Sequence, residues 1–137
     1  MKVFLDTNIV IDFYDQQGDF YYPAAVIFDL AYQGKIQLFV SAITFVNAFF
    51  ILRKSYSHKE LYQSMTGLAS LCEITNVDKG IIKKCLASKH KDFEDNVQYE
   101  SALLHHVDVI VTRNVKDFRD FAVNVQTPTV FLKSMLG

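Results

Sequence analysis

The chain has no tryptophan, only two cysteines, no surplus of charge of either sign and no long apolar run. Each shortage excludes something. Cys72 and Cys85 lack the Cys-x-x-Cys spacing of a thiolate metal site or a redox pair, so they read as small buried hydrophobes in a reducing compartment. With 14 basic and 15 acidic side chains the net charge is −1, which provides no global attraction for nucleic acid and leaves only a local patch to do that work. No stretch reaches the ~18 consecutive apolar residues of a membrane-spanning helix. The first residues do not follow the charged-then-apolar order of a secretion signal, so a cytoplasmic location is expected and no membrane. Motifs for nucleophilic serine chemistry (GxSxG), nucleotide phosphates (GxxxxGK[ST]), dinucleotides (GxGxxG) and zinc (HExxH) are all missing.

What is present starts with MKVFLDTNIVID. Val3, Phe4 and Leu5 form an apolar run that stops at Asp6, and Thr7 and Asn8 suit the first turn of a helix. Asp6 therefore either caps that helix or is a carboxylate delivered by the end of a buried strand. Further on, Gly18, Asp19 and Pro23 interrupt the chain, and Ala24, Ile27, Phe28 and Ala31 recur at helical spacing up to Gly34. A strand is expected over 36–40, then a helix from Ala42 to about Lys54, with Ser41 available as its cap. Within that helix Asn47 is the only polar side chain between Phe45 and Leu52, and it must find hydrogen bonds or a ligand.

Ser57 and Glu60 have capping-box spacing ahead of a helix through Leu61, Met65 and Leu68, followed by a short strand at 73–75. Asp78 caps a helix whose exposed face carries Lys79, Lys83 and Lys84, the densest basic feature of the chain. Asp92, Glu94 and Asp95 then crowd around Phe93 at the start of a helix expected to run to His106. A strand at 107–112 follows, and polar residues resume at Arg113, Asn114 and Asp117. The pattern at Asp6, a buried strand with polar groups at its C-terminal end, recurs here. A last short strand is expected at 130–132. Alternating strands and helices over 137 residues predict one domain, 1–137: a three-layer α/β/α fold with a central, mainly parallel sheet of about four to five short strands.

Polar groups at two strand ends share a crevice when the strands are neighbours. Several carboxylates in contact repel one another unless protons or cations neutralise them, and an all-oxygen donor set suits magnesium or manganese. Such a site would hydrolyse a phosphodiester through a metal-activated water.

VFLDTNIVID, SAITFVNAFF, FEDNVQYESAL and DVIVTRNVKDF, in this order and over the whole chain, resemble the PIN domain family, in particular the VapC-like toxins of bacterial toxin–antitoxin pairs. The resemblance implies a parallel sheet flanked by helices and a Mg2+- or Mn2+-dependent endoribonuclease. It carries the family's first aspartate onto Asp6, the late-helix aspartate onto Asp95, and the acidic or amide position after the next strand onto Asn114, with Asp117 close behind. Asp6, Asp95 and Asp117 would ligate the metal, Asn114 and Asp117 would position water or a second ion, and Thr7, Asn8 and Thr112 match companions at the strand ends. The departure is Asn47, an amide where the family usually has a glutamate. It removes a negative charge and any base, while Asn47 can still offer an oxygen to a metal or position its water through a hydrogen bond. Glu94 or Asp92 is the candidate to compensate, although Glu94 points another way along the helix if Asp95 faces inward.

The expected function is therefore RNA hydrolysis by the toxin of a toxin–antitoxin pair. The alternative is a catalytically impaired PIN-like module that binds RNA or a protein. A receiver-like reading would need paired N-terminal acids and a later strand-end lysine, neither of which is evident. Twelve phenylalanines and seven tyrosines exceed what a small core hides, so a homodimer and an antitoxin partner are also expected, with Phe45, Phe49, Phe50 and Tyr56 among the rings on offer.

Overall fold

The computed structural model describes residues 1–118, 121 and 123–137. Its centre is β1 (Lys2–Leu5), whose Val3, Phe4 and Leu5 are fully buried. The remaining strands are β2 (Gln37–Ser41), β3 (Cys72–Thr75), β4 (Val109–Val111) and β5 (Val125–Gln126). They form one sheet in the order β3-β2-β1-β4-β5, and every neighbouring pair is parallel. Among the described residues the helices are α1 (Thr7–Tyr14), α2 (Tyr21–Tyr32), α3 (Ala42–Leu52), α4 (His58–Leu71), α5 (Lys79–Ser88) and α6 (Phe93–Leu103) between the strands, and α7 (Pro128–Leu136) after β5.

Strand alternation sorts the two faces. Val3, Leu5, Leu38, Val40, Val109 and Val111 point to one side and pack with residues of α1, α2, α3, α4 and α7. Phe4, Phe39 and Ile110 point to the other and meet Tyr99 and Ala102 of α6, with Phe118 beside them. Ile81 and Cys85 of α5 pack on Val97 of α6. The result is the expected three-layer α/β/α architecture. The strand order reverses between β1 and β4, since chain connections leave β1 toward β2 on one side and enter β4 from far along the sequence on the other. Such a reversal opens a crevice at the C-terminal ends of the two strands.

The caps fall where the sequence places them. Ser41, Ser57 and Asp78 each accept a backbone N–H at the start of α3, α4 and α5, and Ser57 with Glu60 closes a full capping box. Gly34 takes φ 76 just past α2, a left-handed conformation that a side chain disfavours.

The largest departures from expectation lie late in the chain, while β2, β3 and the end of α3 shift by one or two residues. The segment expected as a strand at 130–132 lies inside α7: Thr127 accepts the N–H of Val130 and Pro128 occupies the first turn, so a helix starts there and the strand is displaced to β5. The late helix ends at Leu103, not His106; the chain turns there, and His106 sits at φ 54. The following strand is confined to Val109–Val111.

Candidate functional site

Alternation continues one residue beyond β1, so Asp6 falls on the Phe4 side of the sheet, toward α6. Its backbone is pinned as well: the Asp6 N–H donates to the Val111 carbonyl at 3.0 Å, extending the pairing of β1 with β4. The side chain is 5% exposed. Each carboxylate oxygen takes two donors. Oδ1 accepts from the Thr7 N–H at 2.7 Å and Gln98 Nε2 at 3.0 Å, and Oδ2 from Thr112 Oγ1 at 2.7 Å and Asn8 Nδ2 at 3.1 Å. Asp6 thus both caps α1 and reaches α6 and the end of β4, so the two readings of this residue are compatible. Burial raises its pKa, against the downward pull of the bonds from Thr112, Gln98 and Thr7.

Helix α6 supplies the other acids. Asp92 caps it by accepting the Asp95 N–H at 3.0 Å, and Glu94 and Asp95 occupy its first turn, where the helix dipole favours negative charge. Asp95 is half-buried, and its carboxyl is pushed up to about 8, first by burial and then by Asp6, Asp92, Asp117 and Glu94. Four other carboxylates therefore act on one. Burial likewise raises Glu94, with Asp6 and Asp92 adding to it and hydrogen bonds from Asn47 and Thr7 opposing it.

Asp117 lies in a short 3-10 turn (Val115–Phe118) after β4. Asn114 is exposed; its backbone N–H donates to Thr112 Oγ1 at 3.0 Å, so Thr112 ties Asp6 to the segment carrying Asn114. Asn47 reaches the same crevice from α3, its Nδ2 lying 3.4 Å from Glu94 Oε1. Thr44, one turn earlier, shares a buried 2.8 Å hydroxyl contact with Thr7, which docks α3 against the start of α1.

The expectation about Glu94 needs correcting. Successive helix residues are rotated by about 100°, and position 98 falls about 40° from position 94, between 94 and 95. Glu94 and Asp95 consequently flank Gln98, and both face the crevice. Gln98 itself escaped the sequence reading. Its spacing, three residues from Asp95 and four from Glu94, was the available signal, by the same logic that singled out Asn47. Also missed was Arg113, which grips Asp12 through Nε at 2.7 Å and Nη2 at 3.3 Å while stacking its guanidinium 4.3 Å from the centre of the Phe20 ring.

The donor chemistry fits a hard divalent cation: carboxylate and amide oxygens, no thiolate, and burial together with neighbouring acids that raise the Asp95 carboxyl to about 8. The spacing is looser. Among the described residues no three His, Cys, Asp or Glu side chains already stand together as a ligand set. The acids interact through the crevice without closing on one point.

Away from this crevice, α3 and α4 border an open apolar groove between Phe45, Phe49, Phe50 and Tyr62, with Val46 and Phe50 largely exposed. Among the described residues no helix is long and apolar enough to cross a membrane.

Residues 2–116 match the family profile described as PIN domain. Among solved structures, the fold is similar to a chain of a toxin–antitoxin complex from Klebsiella pneumoniae, with 25% identity, a TM-score of 0.67, and 92% of this chain and 97% of that one covered. It is also similar to a chain of VapBC2 from Rickettsia felis bound to a promoter DNA fragment, at 20% identity and TM-score 0.66, covering 93% and 98%. A third is VapBC-1 from nontypeable Haemophilus influenzae, at 19% identity and TM-score 0.66, covering 94% and 99%. No curated protein matches the chain.

Proposed function

The chain belongs to the PIN domain family, and from that premise we propose that it is a divalent-cation-dependent endoribonuclease acting as the toxin of a toxin–antitoxin pair. What supports this reading is the placement of Asp6 at the end of β1, bridged by Gln98 to Glu94 on the first turn of α6 beside Asp95, with Asp117 on the turn after β4. Asp6, Asp95 and Asp117 would hold the cation, Mg2+ or Mn2+. When bound, such an ion lowers the pKa of water and offsets charge growing on a phosphoryl group.

The residues of the chain do the rest. Thr7, Asn8, Gln98 and Thr112 hold the Asp6 carboxylate in one orientation, so its position does not depend on the substrate. Asn114, exposed beside Thr112, is placed to orient water or an RNA phosphate at the mouth of the crevice, and Asn47 steadies Glu94 from the opposite wall. Burial and the neighbouring acids raise the Asp95 carboxyl to about 8, so a cation held there would compete with a proton.

A second reading, a catalytically impaired module that binds RNA or a protein, is favoured by two observations. All four lone-pair directions of Asp6 already have donors, and no three ligands are gathered among the described residues. RNA cleavage by the purified chain with and without manganese, compared with Asp6→Asn and Asp95→Asn, separates the two. Cleavage that needs the ion and is lost in both variants supports the nuclease; activity surviving both rejects these residue roles, and no cleavage of any RNA in manganese supports the module.

The α3–α4 groove is our proposed seat for a protein partner, either a second copy or an antitoxin. Its exposed Phe50 and Val46 leave apolar area that the core does not use.

A further inference from the structure

One nitrogen in the crevice does two jobs. Gln98 Nε2 donates to Asp6 Oδ1 at 3.0 Å and also lies 3.5 Å from Glu94 Oε1. The same Glu94 oxygen is approached from α3 by Asn47 Nδ2 at 3.4 Å. Two neutral amides thus stand around Glu94, and one of them bridges it to the buried aspartate. An NH2 group can give a proton to each of two carboxylates, yet it brings no full positive charge to offset theirs.

The other end of the Gln98 amide is unsatisfied. Gln98 is fully buried, and among the described residues its Oε1 has no hydrogen-bond partner. Buried carbonyl oxygens almost always have one. The position that Nε2 occupies lies 3.0 Å from Asp6 Oδ1 and 3.5 Å from Glu94 Oε1, within reach of both carboxylates. Rotation about the last side-chain torsion exchanges the two atoms, and the side chain that links the carboxylates by protons then turns an oxygen toward them. That arrangement is unfavourable with nothing between, and favourable around a hard cation, which takes amide and carboxylate oxygens alike.

We propose that Glu94 is a ligand of the divalent cation, with Gln98 Oε1 as a neutral ligand beside it and Asn47 as the residue that positions Glu94. The inference rests on the cation-dependent reading given above and assigns that site two further residues. Asp6, Glu94 and the Gln98 amide would then share the cation, and without it the Gln98 Nε2 links the two carboxylates by hydrogen bonds.

Manganese binding to the full chain, followed by calorimetry and by the loss of the free-ion electron paramagnetic resonance signal, tests this without reference to RNA cleavage. Glu94→Gln keeps shape and removes charge, and is expected to weaken binding by about tenfold or more. Because Asn47 and Glu94 meet at 3.4 Å, the double variant Asn47→Asp with Glu94→Gln returns a carboxylate to nearly the same place and is expected to restore most of the lost affinity. Far-UV circular dichroism confirms that each variant is folded, and the double variant keeps the test informative if the single one is not. Binding lost in Asp6→Asn but unchanged in Glu94→Gln overturns this proposal and leaves the cation site standing. An unsubstituted chain that takes up no manganese overturns both.

Discussion

Replacing Asp95 by asparagine should make the cation-free protein more stable while depriving it of its response to metal. The carboxyl of Asp95 is pushed up to about 8 from an ordinary 3.8. At about 1.4 kcal/mol per pH unit, a fully sequestered group would lose roughly 6 kcal/mol across that window. Asp95 is only half-buried and solvent screens its neighbours, so about 1–3 kcal/mol is the realistic share. Below pH 3.8 the carboxyl is protonated whether the chain is folded or not, and the stabilising contribution of the retained proton is complete. As the pH rises toward 8 the unfolded chain has already released that proton while the folded one retains it, so stability is lost through this window and the loss ends above about 8. Asp6 and Glu94 are raised too, and act in the same direction. Thermal unfolding in a chelator should show Asp95→Asn and the parent close together near pH 4, with the variant ahead by about 3–12 °C at pH 8. Manganese should raise the parent's midpoint at pH 8 and leave the variant's nearly unchanged. A variant that is less stable than the parent at pH 8, or equally stable at every pH, would refute the idea that carboxylate repulsion is held at this position.

Other perturbations follow from single contacts. Thr112→Val removes the 2.7 Å bond to Asp6 Oδ2 at a fully buried position, and should cost about 1–3 kcal/mol in urea unfolding; a neutral result would mean that another donor replaces it. Arg113→Ala leaves Asp12 buried at 7% exposure without its cation, and should destabilise by about 2–3 kcal/mol, with the loss shrinking as acid protonates Asp12. An unchanged urea midpoint at neutral pH would show the pair to be solvated. Phe50→Asp alters a ring that is 57% exposed and should leave the unfolding midpoint nearly unchanged while weakening any self-association or partner binding through the α3–α4 groove. Light scattering that gives one identical mass for both proteins, together with equal partner binding, would remove that groove from consideration.

Much of the fold was legible because its signals are local. An apolar run ending at Asp6, capping residues at Ser41, Ser57 and Asp78, and a capping box at Glu60 all act within a few residues of themselves. The segment 130–132 was harder: Val130, Phe131 and Leu132 resemble a strand by composition, and only Thr127 and Pro128 just before them reveal a helix start. At the site, Asp6 and Asp95 announced themselves as acids beside apolar runs. The parts that involve long-range contact did not. That Gln98 reaches Asp6 depends on how α6 lies across β1, and that Glu94 meets Asn47 depends on α3 and α6 facing each other. The wheel position of Glu94 was available, but its direction could be judged only relative to a partner that sequence does not place.

The middle position of β1 in the sheet has a consequence for how such proteins diverge. Asp6 is fixed to the frame by its neighbouring strand, whereas Asn47, Glu94 and Asp117 arrive on three separate segments, α3, α6 and the turn after β4. A substitution on one of these arms therefore leaves the backbone pairing that fixes Asp6 untouched. The amide at position 47 and the carboxylate at position 94 meet across the crevice at 3.4 Å, so the charge of this wall comes from α6 and not from α3.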